Sequence, residues 1–191
     1  MATIPDSKLF IAGTGHVHFG APDAPPPVID NYKFGDEATY GGLLWVGDTS
    51  RENVVEFETD GGDVTFKGTW DRPNVKEVRE DESVTGVINS VNLGRDTFEL
   101  AFPGGEYDEE TKSYSAFGSR GASVRSCLIV MEDADDRAAL YLPKVSIKGS
   151  FPVFDTEEFM EVPLNLALLT SDVDGRYFRW FEPRTYVPAA G

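Results

Sequence analysis

The sequence contains very few of the side chains that form covalent or metal cross-links, with one cysteine and two histidines in 191 residues. Cys127 alone cannot form an internal disulfide, which fits a reducing compartment. One thiol and two imidazoles also exclude the cysteine-rich zinc sites. Since a chain of this length can bury enough surface to fold without such cross-links, we expect a single domain over residues 1–191.

Basic side chains are also scarce, because 17 Lys and Arg stand against 33 Asp and Glu, a net charge of -16. Phosphate binding needs clustered Lys and Arg, so this balance argues against a dedicated nucleic-acid groove and against attraction to anionic membranes. Long apolar runs are missing, and a run such as 166–169 cannot cross a bilayer. Residues 1–15 lack the basic and apolar regions of a signal peptide. We therefore expect no membrane partner.

Motifs for catalysis or cofactor binding are also missing. Gly13 and Gly15 lack the third glycine and the following helix of a dinucleotide site. His16 and His18 share one face of a predicted strand, but without a third ligand they are better interpreted as surface or interface histidines than as metal ligands. Cys127 lies in an apolar run and is predicted to be a small core residue. The sequence thus predicts no enzyme activity, no cofactor and no metal.

Short apolar runs with a period of two, separated by turn residues, dominate the chain and predict an all-β fold. Residues 20–40, which include three consecutive prolines, are predicted to be an extended connection over the surface. Residues 182–191 are predicted to be an extended C-terminal arm. The predicted strands cover residues 8–19, 43–46, 53–59, 64–68, 75–79, 83–91, 113–118, 123–131, 138–150, 162–169 and 176–181.

Two segments allow more specific predictions, a hairpin turn and a helix. Residues 60–63, Asp-Gly-Gly-Asp, are predicted to turn a hairpin between strands 53–59 and 64–68, since glycine takes the positive φ of tight turns. Asn92 is predicted to be the N-cap of one substantial helix that ends at Phe102. Proline and glycine at 103–105 then stop that helix.

Four segments in a fixed order resemble a known family. They are 42–50 (GLLWVGDTS), 92–102 (NLGRDTFELAF), 139–149 (ALYLPKVSIKG) and 161–169 (EVPLNLALL). This order resembles the major tail tube proteins of long-tailed, noncontractile (siphovirus-type) bacteriophages, especially those that infect actinobacteria. The resemblance implies an antiparallel β-sandwich or partly rolled barrel with one flanking α-helix, the tail-tube fold.

The resemblance also implies a function and partners. Six copies would form a ring by pairing edge strands, and stacked rings would form a tube in the virion tail, assembled in the cytoplasm of the host bacterium. The implied partners are other copies of the chain, the tape measure, tail terminator and distal tail proteins, and genomic DNA that passes through without specific binding. The acidic composition is consistent with a conduit that does not hold DNA.

Two sets of residues are candidates for these surfaces. By strand alternation, Glu56 and Glu58 lie opposite the core-facing Val55 and Phe57, and would line the lumen together with Lys67 of the predicted partner strand. The other interpretation of the two glutamates is a solvated outer face. The candidate inter-ring loop, which could instead cover the end of the sandwich, comprises Trp70, Asp71, Arg72, Pro73 and Asn74.

The sequence also fits a different class of protein, namely a monomeric carbohydrate-binding β-sandwich that serves as an adhesion module. Its sugar-stacking platforms would come from Trp45, Trp70, Trp180 and Tyr40. Sugar-dependent tryptophan fluorescence of a persistent monomer would favour it, whereas tubes or rings in electron micrographs would favour the tail tube.

Overall fold

The computed structural model describes residues 9–52, 54–118, 121–154 and 156–185. It confirms the predicted all-β fold with one α-helix. The elements are β1 (Thr14–Gly20), β2 (Leu44–Trp45), β3 (Glu56–Gly61), β4 (Val64–Lys67), β5 (Lys76–Arg79), β6 (Glu82–Ser90), α1 (Arg95–Ala101), β7 (Glu106–Asp108), β8 (Ser113–Ser115), β9 (Ser123–Asp133), β10 (Asp136–Gly149), β11 (Val162–Leu168) and β12 (Arg179–Thr185).

The main sheet is antiparallel and has the order β2-β1-β9-β10-β11-β6-β3. Strand β10, at 14 residues, pairs with β9 along one edge. Along its other edge it pairs first with β12 and then with β11. A register shift between Leu142 and Val145 separates the two halves, so the sheet divides into a β12 half and a β11 half that share β9 and β10.

The larger hydrophobic cluster lies between the sheet and α1. Alternate residues of β1, β9, β10, β11 and β6 point to this side, as expected from the period of two. Its fully buried members include Cys127, which confirms the prediction of a small core residue. The cluster consists of Val17, Phe19, Val46, Ile88, Leu100, Ala101, Phe102, Cys127, Ile129, Leu142, Val145, Ile147, Val162, Leu164 and Leu166.

Helix α1 lies within the predicted segment but begins two residues later than predicted, at Arg95 instead of Leu93. The N-cap is Gly94, with extended backbone and no side-chain cap. Asn92 instead connects two segments, because its Oδ1 accepts a hydrogen bond from the Gly94 N–H (2.9 Å) and its Nδ2 donates to the Val46 carbonyl (2.8 Å). The asparagine therefore fixes the entry of the helix against the end of β2 rather than capping it.

The other face of the β12 half is covered by residues 20–43, which corrects the prediction of an extended surface connection. This segment contains two 3-10 turns, Ile29–Asn31 and Glu37–Thr39. It buries Ile29, Tyr32, Tyr40 and Leu43 against Leu128, Val130, Ala139 and Tyr141 of the sheet. The apolar residues of this segment thus form a second core together with the sheet.

A buried arginine holds this covering segment in place. Arg137 of β10 donates to the backbone carbonyls of Ile29 (3.1 Å) and Tyr32 (2.5 Å), and its other nitrogens donate to Glu132 Oε1 at 2.7 and 2.9 Å. Its guanidinium also lies 5.1 Å from the centre of the Tyr32 ring. The planar guanidinium donates to the carboxylate through two nitrogens and to both carbonyls through the third, a fixed geometry that the lysine ammonium lacks.

The hairpin predicted at residues 60–63 is wrong. Strand β3 pairs with β6, from Glu56 opposite Val87 to Gly61 opposite Glu82. Strand β4 pairs with β5 in the same register, from Val64 opposite Arg79 to Lys67 opposite Lys76. Since Gly61 and Gly62 have φ of 87° and 77°, they bend one long ribbon instead of reversing it. The chain reverses at Thr69–Arg72.

Two further boundaries differ from the predictions. Residues 106–112, which none of the predicted strands covers, contain β7, which pairs with β8 in a small hairpin. The predicted C-terminal arm begins within β12, whose Thr185 is opposite Asp136. The remainder of that arm, residues 186–191, lies outside the described residues, as do the predicted strand residues 8 and 53. Within the described residues, each helix is too short or too polar to cross a membrane.

We predict that Gly149→Ala destabilises the protein by about 1–3 kcal/mol, the usual cost of overpacking a core. A Cβ on Gly149 would lie 2.3 Å from the Cβ and 2.6 Å from the Cα of Ala101, so α1 would have to move away from β10. Urea unfolding measures the change. Gly118→Ala is the matched control, because no atom of the described residues, apart from its chain neighbours, lies within 4 Å of its added Cβ. Equal midpoints for the two variants would contradict the close approach.

We also predict a pH-dependent component of stability from His18. This residue is fully buried, which corrects its interpretation as a surface histidine, and burial lowers its pKa from 6.5 to about 4. Its Nε2 is 2.9 Å from the Tyr32 hydroxyl. Because the unfolded chain binds the proton more readily, this component is complete above pH 6.5 and is lost as pH falls toward 4, by about 3 kcal/mol in total.

The measurement is urea unfolding of wild type and His18→Gln between pH 7 and 4. The acidic side chains titrate equally in both proteins, so the difference between the two curves isolates the histidine. We expect the wild type to lose more stability than the variant over this range. Parallel curves would contradict the prediction.

Candidate assembly surfaces

The β11 half of the sheet leaves one face open. On this face two rows of side chains run across β3, β6, β11 and β10, as the strand register requires. One row is Glu56, Val87, Asn165 and Lys148, and the other is Glu58, Thr85, Ala167 and Ser146. These residues border a shallow depression of about 590 Å³. We call this surface the open face.

The alternation predicted for β3 is observed. Phe57 packs against the larger core cluster, whereas Glu56 and Glu58 are exposed on the open face. Gly86 lies opposite Phe57, and a Cβ at Gly86 would be 2.5 Å from that ring. The ring therefore occupies space that glycine leaves free, which orients both neighbouring glutamates away from the core.

Lys67 does not lie beside these glutamates, because its strand is not the partner of β3. Lys67 pairs with Lys76 in the β4–β5 ribbon, beyond the bend at Gly61. The cation that shares the open face is Lys148, three strands away from Glu56. Sequence reasoning did not select Lys148 or Asn165. The signal was available, since Lys148 alternates with the buried Ile147 in β10.

The candidate loop lies at the tip of the ribbon. Thr69 and Arg72 exchange backbone hydrogen bonds of 2.8 and 3.2 Å, which leaves Trp70 and Asp71 as the two residues of the turn. The Trp70 side chain is fully exposed, and the residues of β4 are all exposed. The structure thus places Trp70 away from the end of the sandwich. Contact of residues 70–74 with a neighbouring ring stays a prediction.

The main sheet also has open edges. Strand β3 is the last strand of the β11 half, and β2 ends the other side of the sheet. The unpaired backbone groups of such an edge can pair with a strand of another chain. Glu56 and Glu58 lie on this edge strand, so the open face and the β3 edge are continuous.

The structure separates the aromatic side chains proposed for sugar stacking. Tyr40 is 3% exposed and belongs to the second core. Trp70 lies at the ribbon tip, whereas Trp45 and Trp180 belong to β2 and β12, on either side of the β1–β9–β10 layer. These residues therefore do not form one common platform.

The titratable groups considered as ligands are held in structural contacts. The His16 ring stacks on Phe34 with 3.7 Å between centroids, and its Nε2 is 3.8 Å from Glu132 Oε2. Burial raises the pKa of the Cys127 thiol. Among the described residues, no group of three or more His, Cys, Asp or Glu side chains could hold a metal ion.

An open sheet face, an open strand edge and an exposed β-ribbon are surfaces suited to association with other chains. The chain belongs to the phage tail tube protein family, whose model matches residues 1–191. It is 27% identical over 182 residues to the "Major tail protein Gp23" of Mycobacterium phage L5, with 92% of this chain and 91% of that protein covered. The Gp23 major tail protein of Mycobacterium phage D29 is 24% identical over the same length. Membership gives the chain a structural role in the tail of the virion.

Proposed function

We propose that the chain, as a single domain of residues 1–191, forms hexameric rings that stack into the tail tube through which DNA is ejected. The proposal rests chiefly on the open face, a strip of mostly polar, partly or fully exposed side chains that ends at the edge of β3. A face left uncovered on its own strands, beside an open edge, is suited to continue as one sheet through neighbouring copies. Electron microscopy of the purified protein tests this by the presence of stacked rings.

In this arrangement the open face lines the lumen. Apart from the two glutamates and Lys148, the surface is neutral, with Thr85, Val87, Ser146, Asn165 and Ala167. A lumen with few cations gives DNA phosphates little to bind, so the strand can slide. Glu56 and Glu58 would repeat around each ring as acidic rows at the junction between copies.

The other partners follow from the same role. The tape measure protein would occupy the lumen before ejection, and the tail terminator and distal tail proteins would meet the two ends of the tube. Assembly would take place in the cytoplasm of the host bacterium. The non-enzymatic role follows from the same proposal, because the surfaces described above act by association.

We predict that changing both Glu56 and Glu58 to Lys leaves unfolding of the monomer nearly unchanged, because exposed substitutions usually alter stability by less than about 0.5 kcal/mol. Ejection of DNA through assembled tails becomes slower, since new cations in the lumen attract phosphates. Single-particle ejection kinetics measure this effect. Glu106→Lys with Glu110→Lys makes the same charge change on exposed residues away from the open face. Wild-type kinetics in normal tails carrying the first pair would place these glutamates outside the lumen.

We predict that deletion of residues 70–74 leaves a folded protein that no longer forms tubes. The deletion removes only the ribbon tip, whose turn is separate from both core clusters. Circular dichroism checks folding, and electron microscopy checks assembly. Tubes of normal length from the shortened chain would show that these residues do not make the stacking contact.

A further inference from the structure

The β4–β5 ribbon has a charge opposite to that of the chain as a whole. Residues 64–79 contain four basic side chains, Lys67, Arg72, Lys76 and Arg79, and two acidic ones, Asp71 and Glu77. The whole chain carries 33 acidic against 17 basic side chains. The ribbon is therefore a basic projection on an acidic protein, and charge complementarity would direct it toward another copy.

The ribbon is poorly stabilised by its own chain. A two-stranded ribbon is marginally stable in water, and from Val64 to its tip this one extends for about 20 Å at 3.3 Å per residue. Phe66, Trp70 and Val75 are all more than half exposed. Lys67 and Lys76 are directly opposite each other, an arrangement that destabilises a strand pair. An acidic partner with an apolar surface would relieve both problems.

A groove with those two properties lies between α1 and the segment that leads into β2. It has a volume of about 640 Å³. Leu44, Trp45 and Leu100 supply apolar walls, and Leu44 is 71% exposed. Three carboxylates, those of Glu37, Asp96 and Glu99, also border the groove. We call it the helix groove.

The charges of the helix groove are largely available. Glu99 pairs with Arg95 at 2.6 Å, but neither Glu37 nor Asp96 forms an ion pair within the described part of the chain. Among the described residues, Arg125 is the one basic side chain that lines the groove. The groove thus presents two unpaired acids beside exposed apolar side chains, whereas the ribbon presents an exposed indole beside Arg72.

We propose that the ribbon tip of one copy docks in the helix groove of a second copy, with Trp70 against the apolar walls and Arg72 against Asp96. The inference rests on the proposed tube, because ring stacking would supply the second copy. Aromatic and arginine side chains are the usual anchors of such contacts. The contact is heterologous, since tip and groove are different surfaces, and it therefore propagates from copy to copy along a tube.

One other groove could accept an aromatic side chain, and its chemistry fits less well. It has a volume of about 470 Å³ and is lined by Phe98, Phe102, Tyr114, Phe117, Phe151 and Pro152 among its residues, with no charged side chain among those that the structure describes. Docking there would bury apolar surface but would leave Arg72 and the two lysines without acidic partners. We call it the aromatic groove and use it as the comparison site.

The test is disulfide cross-linking between two differently tagged full-length copies. One copy carries Asp71→Cys at the ribbon tip, and the other carries Leu44→Cys in the helix groove, so that Trp70, Arg72 and the groove acids all remain. The matched control replaces Leu44→Cys with Ala116→Cys, an exposed residue of the aromatic groove. The native Cys127 is fully buried and gives no background. The two tags distinguish links between unlike copies on gels after oxidation.

We expect the tip to link to position 44 at least about tenfold more than to position 116. Preferred linking to position 116, or equally weak linking to both, overturns the proposal. Electron microscopy of the same samples tests the tube separately. Links to position 44 without tubes would contradict the proposed function and support the docking contact, whereas tubes without those links would do the reverse.

Charge reversal provides a second measurement. Arg72→Glu and Asp96→Arg should each raise the protein concentration needed for half-maximal assembly by about tenfold, corresponding to about 1.4 kcal/mol. The double variant should return to within about threefold of wild type, because the pair is restored with opposite signs. Arg176→Glu, on an exposed turn, controls for net charge. Additive defects in the double variant would overturn the pairing of Arg72 with Asp96.

Discussion

The arrangement of the molecule depends on one constraint. Strand β10 needs hydrogen-bonded strands along both edges and packed side chains on both faces. At 14 residues it is longer than either strand on its second edge, so β12 and β11 share that edge. From Arg137 to Pro143 most of its residues are buried, because the two cores lie on opposite sides. After the register shift near Val145, one face is buried and the other carries Ser146 and Lys148.

The two halves of β10 differ in how their second face is covered. In the first half the chain covers the second face with its own residues 20–43, held by the hydrogen bonds of Arg137 and by His18 and Tyr32. In the second half no element of the described residues covers the open face, and its polar side chains tolerate water. A sheet that is buried on both faces at one end and open at the other is stable as a subunit yet retains a surface and an edge for assembly.

The distribution of charge also serves two purposes, solubility of the subunit and association between copies. The acidic excess keeps like surfaces apart and favours solubility, while the basic residues of the β4–β5 ribbon form a local exception. Because Lys67 and Lys76 oppose each other in the same ribbon, their positions are explained better by an external acidic surface than by the stability of the ribbon. The proposed docking contact joins this exception to the unpaired acids of the helix groove, so that complementary charge selects the mode of association.

The sequence by itself determined the features that depend on neighbours along the chain. Alternation of Val55 and Phe57 with Glu56 and Glu58 predicts which side chains face the core, and Pro103 predicts where the helix stops, because both rules are local. It did not determine which strands pair. Asp60–Asp63 carries the composition of a turn, but Gly61 and Gly62 only bend the ribbon, since β6 offers β3 a longer run of partners.

Only the tertiary structure decided how distant segments cover one another. Residues 20–43 have no strong periodicity, and their burial depends on the face that Leu128, Val130, Ala139 and Tyr141 present. Likewise, Asn92 bonds to Val46 instead of capping α1 because β2 ends beside it. The helix groove and the open face each combine elements far apart in sequence. Composition cannot specify such surfaces, because they are created by strand order and register, and these are selected by the packing of the whole core.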